Sequence, residues 1–544
     1  MSKPWINKLY YGDCLTHMRD MPKNYVDLVY LDPPFNSNRD YSWIYKDETG
    51  RPLPEQVEAF NDLWELSEER LRAIRSMPIL MRDAGLPDDV AEFWRIWMNA
   101  LRNSQPRLLA YLSYMTERLL PLRSILKPTG SIYLHCDPTA SHYIKAMMDG
   151  IFGHQNFRNE IIWKRANAHN DPKGYGRITD TILFYTRGTK YTWNTQHTPY
   201  REEYYESHFK KDEHGRWFRT VPLDAPRHGK GSPNLLYDWK GKLPAASRTW
   251  SIKREKMEEY EADGRLRYTR TGTPTLVQYA DAKKGVPLQN IWSDIPPVNP
   301  QARERLGYPT QKPVTLMERI IRASTNEGDL VLDPFCGCAS TIEAAHTLNR
   351  RWIGIDIAIH AIKRVAKDRL EDRLGLQEGV DYEIFGIPGT LEGAQDVWER
   401  DKHQFQKWAI EQVDGFVTSR KTADGGIDGR LYFSLPGEED LKSMIIEVKG
   451  GKNVNVEVIR SLRGALERDD ALMAGLIVMN DLGARKTANF RREMGEAGDL
   501  NVNGVLYSRM QMLTVSEILE GRRFLTPSVS RGKLVSQPSL PMGR

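Results

Sequence analysis

Asp32, Pro33, Pro34 and Phe35 stand in a row at the end of the apolar run Leu28-Val29-Tyr30-Leu31. A short run of β-branched and aromatic residues reads as a buried parallel strand, and two prolines stop it abruptly at its carboxyl end. Open α/β sheets place their chemistry at that end. Pro33 and Pro34 have fixed φ and no N–H, so the carbonyls of Asp32 and Pro33 can face a pocket instead of a neighbouring strand. A carboxylate beside a rigid carbonyl suits the two N–H donors of an exocyclic amino group, and Phe35 offers a ring for a base to stack on. A strand that merely ends in a Pro-Pro turn explains the same four residues.

Two more constellations could do chemistry. The run Asp329 to Leu332 enters the turn Asp333-Pro334-Phe335-Cys336-Gly337-Cys338-Ala339, and an apolar helical pattern follows at Ile342, Ala344, Ala345 and Leu348. A strand, a glycine-containing turn and a helix N-terminus are how a nucleotide-like cofactor meets a helix. The next strand ends at Asp356, about where such folds hold a ribose hydroxyl. Near the start of the chain, Asp13 follows Leu9-Tyr10-Tyr11-Gly12, which puts it on the same sheet edge as Asp32 or makes it the N-cap of the helix that follows. The third constellation is Asp428 with Glu447 and Lys449. Glu447 and Lys449 alternate with apolar neighbours and so share one face of a strand. An Asp and a Glu beside a Lys form a hard-oxygen site for Mg²⁺ that can activate water against a phosphodiester. An exposed Glu/Lys edge strand is the competing account.

The elements that must carry these residues form an α/β pattern too long for one core. The chain has 544 residues, is 40% hydrophobic and 27% charged, and carries a formal net charge of +5. Two or three domains are expected. No apolar run is long enough to span a membrane, and the N-terminus lacks a signal-peptide core, so the expected setting is cytoplasmic. Cys14, Cys136, Cys336 and Cys338 form no CxxC pair. Neither a disulfide framework nor a structural zinc is indicated. Residues 51–120 read as a helical insertion, although the run Leu108 to Ile125 belongs mostly to the α/β core. From about 190 to 305 periodicity weakens while basic and aromatic residues interleave, as in Arg216-Trp217-Phe218-Arg219. That mixture suits phosphate and base contacts, or a solvated surface with aromatic anchors. Glycines mark a linker over 376–400, a second α/β pattern fills 401–521, and 522–544 is a basic tail expected to be disordered.

Taken together, the first two constellations and Thr310-Gln311-Lys312-Pro313 resemble the amino-methylating DNA methyltransferases of the β arrangement, in which the catalytic motif precedes the cofactor motif. The resemblance covers roughly residues 7–370. It implies a Rossmann-like fold over 1–375, S-adenosylmethionine as cofactor and double-stranded DNA as partner, with 190–305 as the target-recognition region. It further implies that Asp32, Pro33, Pro34 and Phe35 are catalytic, and that Asp13, Lys312, Asp333, Phe335, Gly337 and Asp356 bind cofactor. Lys312 would lie near the methionine carboxylate, Asp356 at the ribose and Asp13 near the adenine. The family usually has glycine where Ala339 stands, and a backbone needing positive φ would accept alanine only at a cost. An aspartate at the head of the motif favours adenine-N6 over cytosine-N4. No Pro-Cys pair is present for carbon-5 chemistry.

Residues from about 400 to 500 resemble the Mrr-type restriction endonucleases of the PD-(D/E)xK fold. That resemblance implies a magnesium-dependent nuclease in which Asp428 and Glu447 bind metal and Lys449 acts on the attacking water. Gln406 or Glu411 is left open as a further ligand. The whole chain then reads as a single-chain restriction–modification system. A methyltransferase whose nuclease-like domain only binds DNA is the other reading, and a homodimer is compatible with the sequence.

Overall fold

The computed structural model describes residues 5–34, 45–46, 64, 66–166, 174–198, 206–227, 233–280, 286–299, 302, 304, 311–357, 359, 361–367, 369–418, 427–436, 438, 441–451, 454–469, 471–527 and 533–534. Phe35 and Thr310, and most of the basic tail, lie outside the described residues. The chain divides into two compact units, 195–289 and the remainder.

The larger unit is built on a nine-stranded sheet. Its strands are β1 (Lys8–Tyr11), β2 (Val26–Leu31), β3 (Leu126–Cys136), β4 (Phe157–Lys164), β5 (Thr179–Thr186), β6 (Ile291–Trp292), β7 (Leu330–Asp333), β8 (Arg351–Asp356) and β9 (Glu383–Phe385). They lie in the order β6-β4-β5-β3-β2-β7-β8-β1-β9. Every strand runs the same way except β5, which is antiparallel to both β4 and β3. Parallel strands covered on both faces must be apolar throughout, and every residue of β2 is buried.

Two helices, α1 (Cys14–Arg19) and α4 (Pro106–Ile125), pack against each other, and α5 (Ser141–Phe152) packs on α4. Between α1 and α4 stand α2 (Glu68–Asp83) and α3 (Asp88–Ser104), the described part of the expected insertion. Ala91, Trp94, Met98 and Leu101 recur at helical spacing on α3 and are all buried. Helices α6 (Val314–Ser324) and α7 (Ser340–Thr347) flank β7.

The segment expected as a linker is structured. It holds β9, which extends the sheet beside β1, and α8 (Leu391–Arg400). There follows a five-stranded sheet in the order of the chain: β10 (Phe416–Val417), β11 (Gly429–Phe433), β12 (Lys442–Lys449), β13 (Met473–Val478) and β14 (Met510–Thr514). The first three strands are antiparallel neighbours, and β12, β13 and β14 are parallel. Helix α9 (Lys402–Gln412) precedes this sheet, α10 (Val456–Arg468) makes the crossover from β12 to β13, and α11 (Ala484–Gly495) and α12 (Val515–Leu519) complete the module. Gly450, just past β12, leaves room for the Trp398 ring, which a Cβ there would meet at 2.3 Å.

The smaller unit contains an antiparallel sheet of four strands, 266–268, 274–279, 217–222 and 210–211 in that order. Its core gathers Leu223, Trp239, Trp250, Met257, Leu266 and Leu276. The expected recognition region, 190–305, is wider than this unit. Asn290 and the strand at 291–292 belong to the larger unit, where β6 pairs with β4.

Candidate functional site: an acidic strand edge and a second carboxylate pair

Four neighbouring strands, β2, β7, β8 and β1, each deliver an aspartate to the same carboxyl edge. Asp32 follows Leu31, Asp333 closes β7 opposite Gly354, Asp356 closes β8 opposite Tyr11, and Asp13 lies two residues past Tyr11. The sequence placed Asp13 and Asp32 on one edge, and the register brings Asp333 and Asp356 to it as well.

The turn between β7 and α7 is held from both sides. Asp333 Oδ1 accepts from the Phe335 N–H at 3.1 Å, and Asp356 Oδ2 accepts from the Gly337 N–H at 2.9 Å. The turn closes at Ala339, which has φ 61° and ψ 28° and is the N-cap of α7. Alanine therefore occupies a left-handed conformation that an L-residue adopts at a cost of about 1–2 kcal/mol. No side chain caps α7, so its first N–H groups present a partial positive charge to this edge. Burial lifts the Asp333 carboxyl to about 7, with Asp32 and Asp356 adding repulsion against the donors at Thr341 and Phe335.

Asp32 is paired. Lys312 Nζ donates to Asp32 Oδ2 at 2.5 Å. The sequence expectation put Lys312 at a methionine carboxylate; here it meets the aspartate of the catalytic motif. Asp13 does what an N-cap does, accepting from the Leu15 N–H at 2.8 Å, and it also takes two bonds from Arg118 Nη2 at 2.8 and 2.6 Å. The buried Arg118 guanidinium lies 3.4 Å from the centre of the Tyr114 ring.

A buried polar chain beside Asp32 escapes a reading of the sequence. Tyr30 shares a 2.9 Å hydrogen bond with His135 Nδ1, and His135 Nε2 meets Asp180 Oδ2 at 3.1 Å. Arg165 forms an ion pair with the other Asp180 oxygen at 2.8 Å. His135 interrupts the apolar end of β3 and Asp180 stands between two threonines at the head of β5; a polar residue inside a strand is the signal which could have found them, because once buried it needs a partner. Asp180 titrates below its usual range. Burial opposes the shift, and His135, Lys312 and Arg165 outweigh it.

The third constellation also comes together. Asp428 Oδ2 accepts from the Val448 N–H at 2.7 Å, Gln406 Nε2 donates to Asp428 Oδ1 at 3.2 Å, and Lys449 Nζ lies 2.7 Å from Glu447 Oε1. Glu447 is 3% exposed, and its Oε2 is buried without a hydrogen-bond partner. Burial raises both carboxyls, Lys449 pulls both back, and Asp428 pushes Glu447 up. A buried orphan oxygen beside a second carboxylate fits a divalent cation. Among the described residues no group of three or more His, Cys, Asp or Glu side chains is placed to hold a metal ion, so a cation here would rest on two carboxylates. Of the two residues left open as ligands, Gln406 touches this site, whereas Glu411 accepts from the Tyr11 hydroxyl at 3.4 Å on the first sheet.

In the smaller unit the interleaved cations and rings are partnered with one another. Lys211 lies over Trp217, Arg216 over Tyr279 and Arg219 over Phe209, at 4.8, 4.2 and 5.4 Å from the ring centres.

A parallel sheet edge with carboxylates at successive strand ends, a glycine turn and an uncapped helix defines a class: an α/β protein whose strand edge suits a nucleoside-bearing cofactor. The donor set fits S-adenosylmethionine, since Asp356 beside an open helix N-terminus suits ribose hydroxyls and the acidic row suits a sulfonium cation.

The chain belongs to the N6/N4 DNA methylase family, whose sequence model matches residues 26–368. It is 37% identical over 357 residues to the DNA adenine methyltransferase YhdJ of Escherichia coli K12, covering 65% of this chain and 80% of that protein. Type II methyltransferase M.EcaI of Enterobacter cloacae is 36% identical over 261 residues, 47% of this chain and 57% of that protein. The StyLTI Mod subunit of a type III restriction-modification enzyme from Salmonella typhimurium is 27% identical over 362 residues, 63% of this chain and 50% of that protein. The chain thus spans about half the length of these last two relatives. Among the described residues no helix is long and apolar enough to cross a membrane.

Proposed function

We propose that this chain is a DNA methyltransferase that uses S-adenosylmethionine and acts on the N6 amino group of adenine. The single observation that carries the proposal is the row Asp32, Asp333, Asp356 and Asp13 along one sheet edge within the region matched by the DNA methylase family. The resemblance to a DNA adenine methyltransferase supports the choice of base.

Bound S-adenosylmethionine supplies an electrophilic methyl group on a sulfonium. The chain's own residues orient the acceptor. The amino group of adenine is a weak nucleophile because its lone pair is delocalised into the ring. Asp32 and the Pro33 carbonyl accept its two hydrogens, which favours the pyramidal nitrogen needed for in-line attack, and Asp32 is placed to take up the proton that the amine releases. Lys312 holds the Asp32 carboxylate in place. Phe35 stacks on a base that has been flipped out of the duplex. The smaller unit reads the DNA, its paired cations contacting phosphates. The test is expression in a methylation-free host followed by sequencing of the methylated positions. N6-methyladenine that disappears with Asp32→Ala is the expected result, whereas N4-methylcytosine would replace the adenine assignment and no methylation would end it.

A second activity is favoured by the buried, unpartnered Glu447 Oε2 beside Asp428 and Lys449. In this reading residues 401–521 form a Mg²⁺-dependent nuclease of restriction-endonuclease type. Asp428 and Glu447 would hold the metal, which would supply a Lewis acid, and Lys449 would orient or deprotonate the attacking water. Cleavage of unmethylated DNA that requires Mg²⁺ and is lost in Lys449→Ala supports it. No cleavage with any divalent ion removes it and leaves a module that only binds DNA.

A further inference from the structure

Helix α9 faces two sites. Gln406 reaches Asp428 in the C-terminal module, and Glu411, five residues on, reaches the large sheet. There its carboxyl accepts from the Tyr11 hydroxyl and from the backbone N–H of Ile359. These partners mark a definite place. Tyr11 closes β1 in register with Asp356, the Gly12 N–H donates to the Asp356 carbonyl at 2.9 Å, and Ile359 lies three residues past Asp356. Glu411 therefore stands where β1 and β8 leave the sheet, the end of the acidic row assigned to ribose and adenine.

Two further observations separate this carboxyl from an ordinary interface contact. Glu411 keeps part of its surface open to solvent, and burial, with Asp356 adding a smaller repulsion against Lys407 and Tyr11, raises its carboxyl to about 7. A carboxylate also has about four acceptor positions, so two donors leave it capacity for a ligand.

We infer that Glu411 is a cofactor-binding residue, contributed by the C-terminal module, which accepts a hydrogen bond from the nucleoside part of S-adenosylmethionine beside Asp356. The inference rests on the methyltransferase reading of the cleft. It also means that one helix carries a residue of the cofactor site and a residue that positions Asp428.

Calorimetric titration of the full chain tests it without reference to activity. S-Adenosylmethionine and S-adenosylhomocysteine share the nucleoside and differ in the sulfonium charge, so both are titrated into wild type, Glu411→Gln and Tyr11→Phe. Glu411→Gln should weaken both ligands about tenfold, and Tyr11→Phe, which removes the cementing hydroxyl and keeps the carboxyl, should change neither by more than about threefold. Equal binding by wild type and Glu411→Gln overturns the inference. So does an equal loss in Tyr11→Phe, which would make Glu411 structural cement. Loss confined to S-adenosylmethionine also overturns it, because that would be charge attraction to the sulfonium. Wild type that binds neither ligand removes the cofactor reading itself. Should Glu411→Gln not fold, hydrogen exchange of wild type decides: added S-adenosylhomocysteine should protect residues 402–412, and unchanged exchange there overturns the inference.

Discussion

Lys312 and Asp32, 280 positions apart in sequence, meet at 2.5 Å in a largely buried ion pair. The pair ties the segment before α6 to the end of β2, and it fixes the position of the Asp32 carboxylate. An acceptor of amino hydrogens has to be held in place. Asp32→Ala should lower the rate of methyl transfer about 10²- to 10³-fold while cofactor affinity stays within about threefold of wild type. Lys312→Met should lower the rate and the stability together, because it leaves a largely buried carboxylate without its cation. Single-turnover transfer of labelled methyl groups, paired with cofactor titrations, separates the two. Transfer that survives in Asp32→Ala would exclude the catalytic role.

Asp333 predicts a pH dependence of stability. Its folded value of about 7 lies above the ordinary carboxylate range, so between about pH 4 and pH 7 the folded chain holds a proton that the unfolded chain has lost. Stability should therefore fall as pH rises through that window and level off above it, with a slope of at most about 1.4 kcal/mol per pH unit from this group. Asp333→Asn keeps the neutral form at every pH. Denaturant unfolding at pH 5, 6, 7 and 8 should show a shallower decline in Asp333→Asn than in wild type; parallel curves would count against the shift.

Ala339 holds a backbone shape that glycine adopts freely. At φ 61° its methyl group is strained, and Ala339→Gly should stabilise the chain by about 1 kcal/mol in denaturant unfolding, the relief of strain exceeding the entropy that glycine loses. A loss of stability would mean that the buried methyl packs better than the backbone argument allows.

Much of this site is legible in the sequence because its residues sit at the ends of elements. Asp13, Asp32, Asp333 and Asp356 each follow an apolar strand, and strand ends are visible in sequence. Sheet order then brings the four together. The sequence does not show which cation Asp32 meets, since Lys312 arrives from a distant segment and pairing over such a separation leaves no local pattern. His135 and Asp180 sit inside strands, and their sequence neighbours do not show that the two are buried together. The expected linker conceals β9 and α8 because glycines in a connection mark its turns without excluding a short strand between them. Glu411 is visible as an acid on α9, but its partner on the first sheet is not. Helical spacing says which residues share a face and is silent on what that face meets.

Glu447 offers a test of the C-terminal site that needs no DNA. Its Oε2 is buried without a partner, at a cost that a bound cation would remove. A ligand that binds only the folded state stabilises it in proportion to the logarithm of its concentration over its dissociation constant. Adding Mg²⁺ should therefore raise the unfolding temperature of wild type. Glu447→Gln should abolish that rise, because the amide keeps the shape of the side chain and loses the charge that holds the metal. The same variant should transfer methyl groups at the wild-type rate if the two sites act separately, and at an altered rate if α9 couples them through Gln406 and Glu411. Wild type whose unfolding temperature ignores Mg²⁺ would leave the Asp428–Glu447 pair without a metal and the nuclease reading without its basis.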